Sequence, residues 1–391
     1  MRNTMNIYKR KDGRFEGRIP FGRDDNGNLK YRYLYSRSLA QLKEKMLSAY
    51  ATSEKYSSTV CCKTLQELSF EWLGCAKLRI KESSYCCYEK IVTKHIIPYF
   101  KQIKYCELNT PKINAFIEYL LSNGMSNGIG GLSAKTVHDI IVAMRSIAKY
   151  SEQEYGLRNP MCSISMPKIQ RNEISVLNES ERKNLQNHLV NNLNNTNIGI
   201  LLTMYSGMRI GEICALKWSD IDFQAKTVTV SRQVNRLKDF SPNAKSKTRL
   251  GIQEDTKTQS SHRTISLPEP LLEILLKHKE KQETSKKSWG KSYQNMDMVF
   301  AREDGFYIDP ATFRDHYQKK LKEAGLGHYT IHALRHTFAT RALETGVPIK
   351  VVSQILGHST VQITMDTYSH VLPELQSESM NKIAEYITPD K

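Results

Sequence analysis

The sequence predicts a multidomain α+β protein: a small N-terminal β-sheet plus helix, a helical bundle, and a mainly α domain with a small antiparallel sheet. Three observations carry this. A chain of 391 residues exceeds one ordinary domain of about 150 residues. Near Thr64 the spacing of apolar residues turns helical, marking a change from strand to helix. A polar, proline-bearing stretch without periodicity, residues 158–175, reads as an interdomain linker. The expected parts are 1–60, 61–157, the linker 158–175, and 176–391.

The first part opens with Asn6-Ile7-Tyr8 and Phe15-Glu16-Gly17-Arg18-Ile19 around Asp12-Gly13, a hairpin pattern. A second turn at Asp25-Asn26-Gly27-Asn28 leads into Tyr31-Arg32-Tyr33-Leu34-Tyr35, and Ser38 to Tyr50 reads as a helix with Leu39, Leu42, Met46 and Leu47 along one side. Arg14, Arg18 and Arg32 interleave with aromatics here, and a small β-ribbon of this kind fits a DNA major groove. The alternative is a solvated basic face.

In the second part Leu65, Leu68, Trp72 and Leu73 share a stripe, and Ser83 or Ser84 is a candidate cap for a helix bearing Tyr85, Tyr88, Val92 and Ile96. Ile113 to Leu121 is a third helix; Ser133 starts a fourth with Val137, Ile140, Met144 and Ile147. Four such helices close one bundle. Lys77, Lys90 and Lys135 then lie on its outer faces, as DNA contacts or as ordinary solvated charge.

Composition bounds the partner. Hydrophobic residues make up 39% and charged residues 25%, ordinary for a globular chain. The 57 Lys and Arg exceed the 40 Asp and Glu by 17, and such a field attracts polyanions, nucleic acid first. The excess is densest over residues 1–60, with 13 basic against 6 acidic. No apolar run of about 18 residues is present to span a bilayer, and the charged start is unlike a signal peptide. The expectation is a soluble, intracellular protein. The eight cysteines include no C-x-x-C, so free thiols are expected rather than a zinc module.

The chemistry is written in the third part. In Gly207-Met208-Arg209-Ile210-Gly211-Glu212 the Arg and Glu stand three apart and become neighbours on a helix face. In Thr330-Ile331-His332-Ala333-Leu334-Arg335-His336 the residues His332 and Arg335 project together near a helix start, with Thr330 a candidate cap and Gly346 a candidate stop. His332 and His336 stand four apart, but no neighbouring Glu completes H-E-x-x-H, so no metal is expected. Then come Leu356-Gly357-His358 and, ten residues on, Tyr368.

Taken in order, Arg209, His332-x-x-Arg335, Leu356-Gly357-His358 and Tyr368 resemble the signature of the tyrosine recombinases, the phage-integrase family. Lys94-His95-Ile96-Ile97-Pro98-Tyr99-Phe100 and Ser133-Ala134-Lys135-Thr136-Val137 resemble the family's helical core-site-binding domain. The first 60 residues are similar in style to its arm-site-binding domains.

That resemblance implies a site-specific recombinase that joins Tyr368 to a DNA 3′-phosphate and releases a 5′-hydroxyl. Arg209 and Arg335 would grip the phosphate as planar forks. His332 would assist the phenol, His358 would add a hydrogen bond to the phosphate, and Glu212 would orient Arg209 or His332. A lysine between the arginine boxes would protonate the leaving oxygen. Lys257 is the choice, with Lys245 and Lys247 as alternatives.

No cofactor is implied. Implied partners are double-stranded DNA at core and accessory arm sites, a homotetramer passing through a Holliday junction, and an excisionase or DNA-bending protein. Met380, Ile383, Ala384 and Ile387 would pack on a neighbour or back on their own domain. The rival readings are a chromosome-dimer resolvase of the same family, a type IB topoisomerase, and a non-cutting DNA-binding regulator.

Overall fold

A computed structural model describes residues 6–10, 12–23, 29–47, 49, 63–125, 129–170, 174–240, 248–254 and 262–369. The chain divides into two compact units, Met1–Arg171 and Asn172–Lys391. The architecture is mixed and helix-dominated, with small antiparallel sheets. No described helix is long and apolar enough to cross a membrane.

In the first unit β1 (Asn6–Lys9), β2 (Phe15–Arg23) and β3 (Leu29–Ser36) form an antiparallel sheet in that order. Gly13, at φ 82, takes the left-handed turn conformation that glycine adopts without a Cβ clash. The expected Asp25–Asn28 turn lies outside the described residues. Alternation along the strands turns Ile7, Phe15, Ile19 and Leu34 toward helix α1 (39–47), whose Leu42 and Met46 are fully buried on them. Burying each such side chain contributes about 1.5–3 kcal/mol. The stripe is narrower than its sequence suggested: Leu39 and Leu47 are exposed, because a three-stranded sheet covers only the i, i+4 pair.

The bundle follows. Thr64 and Glu67 form a reciprocal capping box at α2 (Leu65–Lys77), a cap whose loss typically costs about 1 kcal/mol. Neither Ser83 nor Ser84 caps α3 (Glu82–Ile91). The helix begins one residue after Lys81, placing both serines inside its first turn.

It continues through one π turn, Val92–Ile96, into α4 (Ile97–Phe100). Pro98 has no N–H and crowds the carbonyl four residues back, so the chain widens there. Asn109 caps α5 (Thr110–Asn123), and Ser133 caps α6 (Ala134–Tyr155) as expected. Trp72, Ile96, Phe116, Ile140 and Met144 meet in the core. Leu157, Met161 and Ile164 join that core, so the stretch expected to be a linker from residue 158 begins as part of the bundle.

In the second unit α7 (Glu179–Val190) leads into α8 (Asn195–Ser206), the central helix, buried on nearly every face. Helices α9 (Ile210–Cys214), α10 (Glu269–Trp289), α11 (Pro310–Glu323) and α12 (Ile331–Glu344) pack around α8. An antiparallel sheet joins β4 (Ile221–Asp222), β5 (Thr227–Val230) and β8 (Arg263–Ser266), while β6 (Gln233–Lys238) pairs with β7 (Thr248–Gln253). Helices α13 (Ile349–Leu356) and α14 (Val361–Tyr368) pack against one another beside α12.

Candidate active site

The site is built where α8 and α13 end and α9 and α12 begin. Helix α8 stops at Gly207, φ 62. Arg209 occupies the N-cap of α9 with extended backbone, and Glu212 reaches back to it. One Glu212 oxygen accepts the Arg209 backbone N–H at 2.8 Å, the other its Nη1 at 2.9 Å. Arg263 of β8 donates to both oxygens at 3.1 and 2.7 Å, and its Nε donates to the Ile355 carbonyl at 2.5 Å. Burial by itself would raise the Glu212 carboxyl. The Arg263 hydrogen bonds and the two guanidinium charges outweigh it and hold the group below its ordinary value.

Arg335 is 5% exposed and is held by main chain. Its Nη1 donates to the Gly207 carbonyl and its Nη2 to the Leu356 carbonyl, both at 2.7 Å. Arg209 Nη2 donates to the next carbonyl, Gly357, at 3.4 Å. Two cations thus attach to consecutive oxygens at the C-terminus of α13, where carbonyls lack helical partners and carry partial negative charge. Gly357, at φ 66, supplies the left-handed turn that ends the helix. Burial, then the charge of Arg209, lowers Arg335 to about 9, so it stays charged at neutral pH.

His358 follows directly, with Nδ1 2.8 Å from the Thr364 hydroxyl. Burial, then Arg335, Arg209 and Arg263, pulls its imidazole down to about 4. His332 stands exposed at the start of α12. Desolvation, then the charges of Arg335, Arg209 and Arg314, lowers its pKa. Thr330 occupies the N-cap but makes no side-chain cap bond.

Tyr368 is the last residue of α14 and 1% exposed, seated among Ala339, Leu343, Val352 and Leu356. Burial pushes its phenol up to about 12, with the Arg335 charge acting in the opposite direction. Its hydroxyl lies 2.9 Å from Nδ1 of His336.

Arg209, His332, Arg335, His358 and Tyr368 therefore converge. One pairing differs from expectation. The phenol's partner is His336 rather than His332, because the end of α14 brings the Tyr368 hydroxyl to the turn of α12 that carries His336. Glu212 bonds Arg209, the first of the two expected alternatives, and Arg263 is its second partner. Lys257, Lys245 and Lys247 lie outside the described residues, as do Met380, Ile383, Ala384 and Ile387.

The phage integrase family model matches residues 170–374, and the N-terminal SAM-like domain of phage integrases matches 64–121. The chain belongs to the tyrosine recombinase, or phage integrase, family. A "Tyrosine recombinase XerC-like" protein of Caldanaerobacter subterraneus is 30% identical, across 98% of this chain and 99% of its own. The "ICEBs1 integrase" of Bacillus subtilis is 23% identical over 97% of this chain and 99% of its own. Among solved structures, the Tn1549 transposon integrase in complex with transposon right end DNA superposes with a TM-score of 0.66 at 18% identity, covering 82% of this chain and 99% of that one. That likeness extends to the fold.

The candidate DNA-contacting residues of this recombinase are dispersed. Arg18 lies over the rings of Tyr8 and Tyr33 at 4.9 and 5.4 Å, on the sheet face opposite α1, and its Nε donates to Glu16. Arg14 is ion-paired with Asp12. Arg32 is exposed on β3, where it pairs with Ile19 of β2. In the bundle, Lys77 reaches the Tyr85 ring, Lys90 is exposed, and Lys135 bonds Asp139 at 2.7 Å. Sequence reasoning missed His336 and Arg263 as members of the site. His336 had a signal in its four-residue spacing from His332; Arg263 had none, since its partner Glu212 lies 51 residues away.

Proposed function

We propose that this chain is an integrase, a site-specific recombinase that integrates and excises a mobile element by cutting and rejoining DNA through a 3′-phosphotyrosyl intermediate and a Holliday junction. The observation that carries the proposal is that Arg209 and Arg335 hang on adjacent carbonyls, with the Tyr368 phenol in reach of the Arg335 charge. Phosphoryl transfer is mainly positioning and charge stabilisation. Two fixed guanidiniums meet the nonbridging oxygens as forks, and His332 and His358 add donors. The tyrosyl ester conserves the broken bond, so a 5′-hydroxyl from another strand reverses the step. Lys257 is the proposed acid for the leaving oxygen.

The net charge of +17 and the arginine–tyrosine face of the N-terminal sheet support duplex DNA as partner, with that sheet on accessory sites and four copies on the junction. Full-length similarity to an integrase, N-terminal part included, supports a mobile element; the XerC-like relative, matched over its full length as well, keeps chromosome-dimer resolution as the second reading. The test is a nicked suicide duplex incubated with wild type and Tyr368→Phe. An adduct in wild type and none in the variant, with binding retained, is expected; an adduct at another residue rejects the assignment. Lys257→Ala should cleave slowly and recover when sulfur replaces the 5′-bridging oxygen.

A further inference from the structure

A phenol attacking phosphorus must give up its proton, and among the described residues one imidazole lies in hydrogen-bond range of it. Helix α12 offers two histidines on neighbouring turns. His332 is exposed and makes no described bond to Tyr368, whereas His336 Nδ1 lies 2.9 Å from the Tyr368 hydroxyl, with ring centroids 5.8 Å apart. The tyrosine ring is fixed by Ala339 and Leu343 of α12 and by Val352 and Leu356 of α13, so this approach is set by packing. We infer that His336 is the group that receives the Tyr368 proton during strand cleavage. The inference rests on Tyr368 being the nucleophile.

The balance is simple. The Tyr368 Oη–P bond forms, the phenolic proton passes to His336 Nδ1, and the P–O5′ bond breaks with its electron pair on O5′, which takes a proton from the acid proposed at Lys257. Rejoining runs the same transfers backwards.

The surroundings make His336 responsive to substrate. Its charged and titratable neighbours are His332 and Arg335 on α12, Tyr368 on α14 and His358 in the turn between α13 and α14. Burial first, then His332 and Arg335, lowers its pKa to about 4. The ring is therefore neutral at pH 7, able to accept a hydrogen bond but a weak base. A DNA phosphate docked on Arg335 and Arg209 adds a negative charge that opposes the cationic part of this effect and strengthens His336 as a base. Proton transfer is thereby favoured when the scissile phosphate is in place.

The experiment measures covalent adduct formation by the full chain on a nicked suicide duplex, from about pH 5 to about pH 9. It compares wild type, His332→Ala, His336→Ala and His336→Asn, each with tyrosine or 3,5-difluorotyrosine at position 368. Asparagine places an acceptor near the Nδ1 position but cannot hold the proton, so His336→Asn separates proton transfer from packing if the alanine variant folds poorly. Expected are unchanged DNA affinity and a fall in cleavage on the order of 10²–10⁴-fold in His336→Asn, the usual span of general-base effects. The more acidic difluorinated phenol should restore part of that loss. Cleavage by His336→Asn within about threefold of wild type, well short of a general-base effect, would overturn the inference. So would a loss that the acidic phenol leaves untouched, because a purely structural defect has no reason to respond to phenol acidity. If wild type forms an adduct at some other residue, the failure belongs to the Tyr368 reading and takes this inference with it.

Discussion

Replacing Glu212 with glutamine should destabilise the second unit through the arginine it leaves behind. Arg263 is 8% exposed, and its guanidinium is matched by the Glu212 carboxylate and one carbonyl. Glutamine keeps the volume but turns an amide N–H₂ toward a guanidinium. Removing one member of a buried ion pair costs about 3–5 kcal/mol, out of a typical domain stability of about 5–15 kcal/mol. Arg209 adds less, since its side chain is 34% exposed and water replaces much of the interaction. Urea unfolding followed by tryptophan fluorescence in a Trp72→Phe background reports on this unit, because Trp218 is buried in its core. A loss below about 1 kcal/mol, the scale of a solvent-exposed pair, would refute the argument. Pairing the change with Arg263→Met should recover much of the loss, because the uncompensated charge is then gone.

Acid should weaken the same unit in two stages. His336 and His358 sit near 4 in the folded chain against an ordinary 6.5, so unfolded chains bind more protons between those values and stability falls as pH drops through that window. The limit is on the order of 3 kcal/mol per imidazole, and a thermal midpoint flat between pH 6.5 and 4 would contradict it. Below the ordinary 4.5 of a glutamate, protonation of Glu212 deepens the loss until pH passes its lowered folded value. Gly207→Ala should cost about 1–2 kcal/mol for left-handed backbone alone, plus the displacement of Phe338, whose Cδ1 lies 2.7 Å from where the Cβ would stand; calorimetry measures it, and a neutral result is incompatible with this geometry. Arg18→Ala should weaken binding to accessory-site DNA and lower the salt slope by about one phosphate contact, measured by fluorescence anisotropy across a salt series; an unchanged slope removes Arg18 from the interface.

Order along the chain made much of the site readable in advance. Arg209, His332, Arg335, His358 and Tyr368 stand in recognisable local phrases, and folding brings those phrases together. Helix periodicity likewise placed Trp72, Val137 and Met144 in a core. What stayed hidden depends on docking between distant segments. The choice of His336 over His332 follows from where the end of α14 leaves the Tyr368 hydroxyl, and the grip of Arg263 on Glu212 from a strand meeting a helix start. The misread Ser83 and Ser84 have a local cause: a serine is as compatible with a first helical turn as with the position before it, and only the path of the backbone at Lys81 separates the two.

Arg335 is moored by oxygens that belong to the peptide bond and are present whatever amino acid stands at 207 or 356. Exchanging side chains at those positions therefore removes neither acceptor, and the guanidinium loses its hold only when the course of the chain itself is bent. Efforts to retarget such an enzyme therefore have very little freedom in the backbone beneath that anchor.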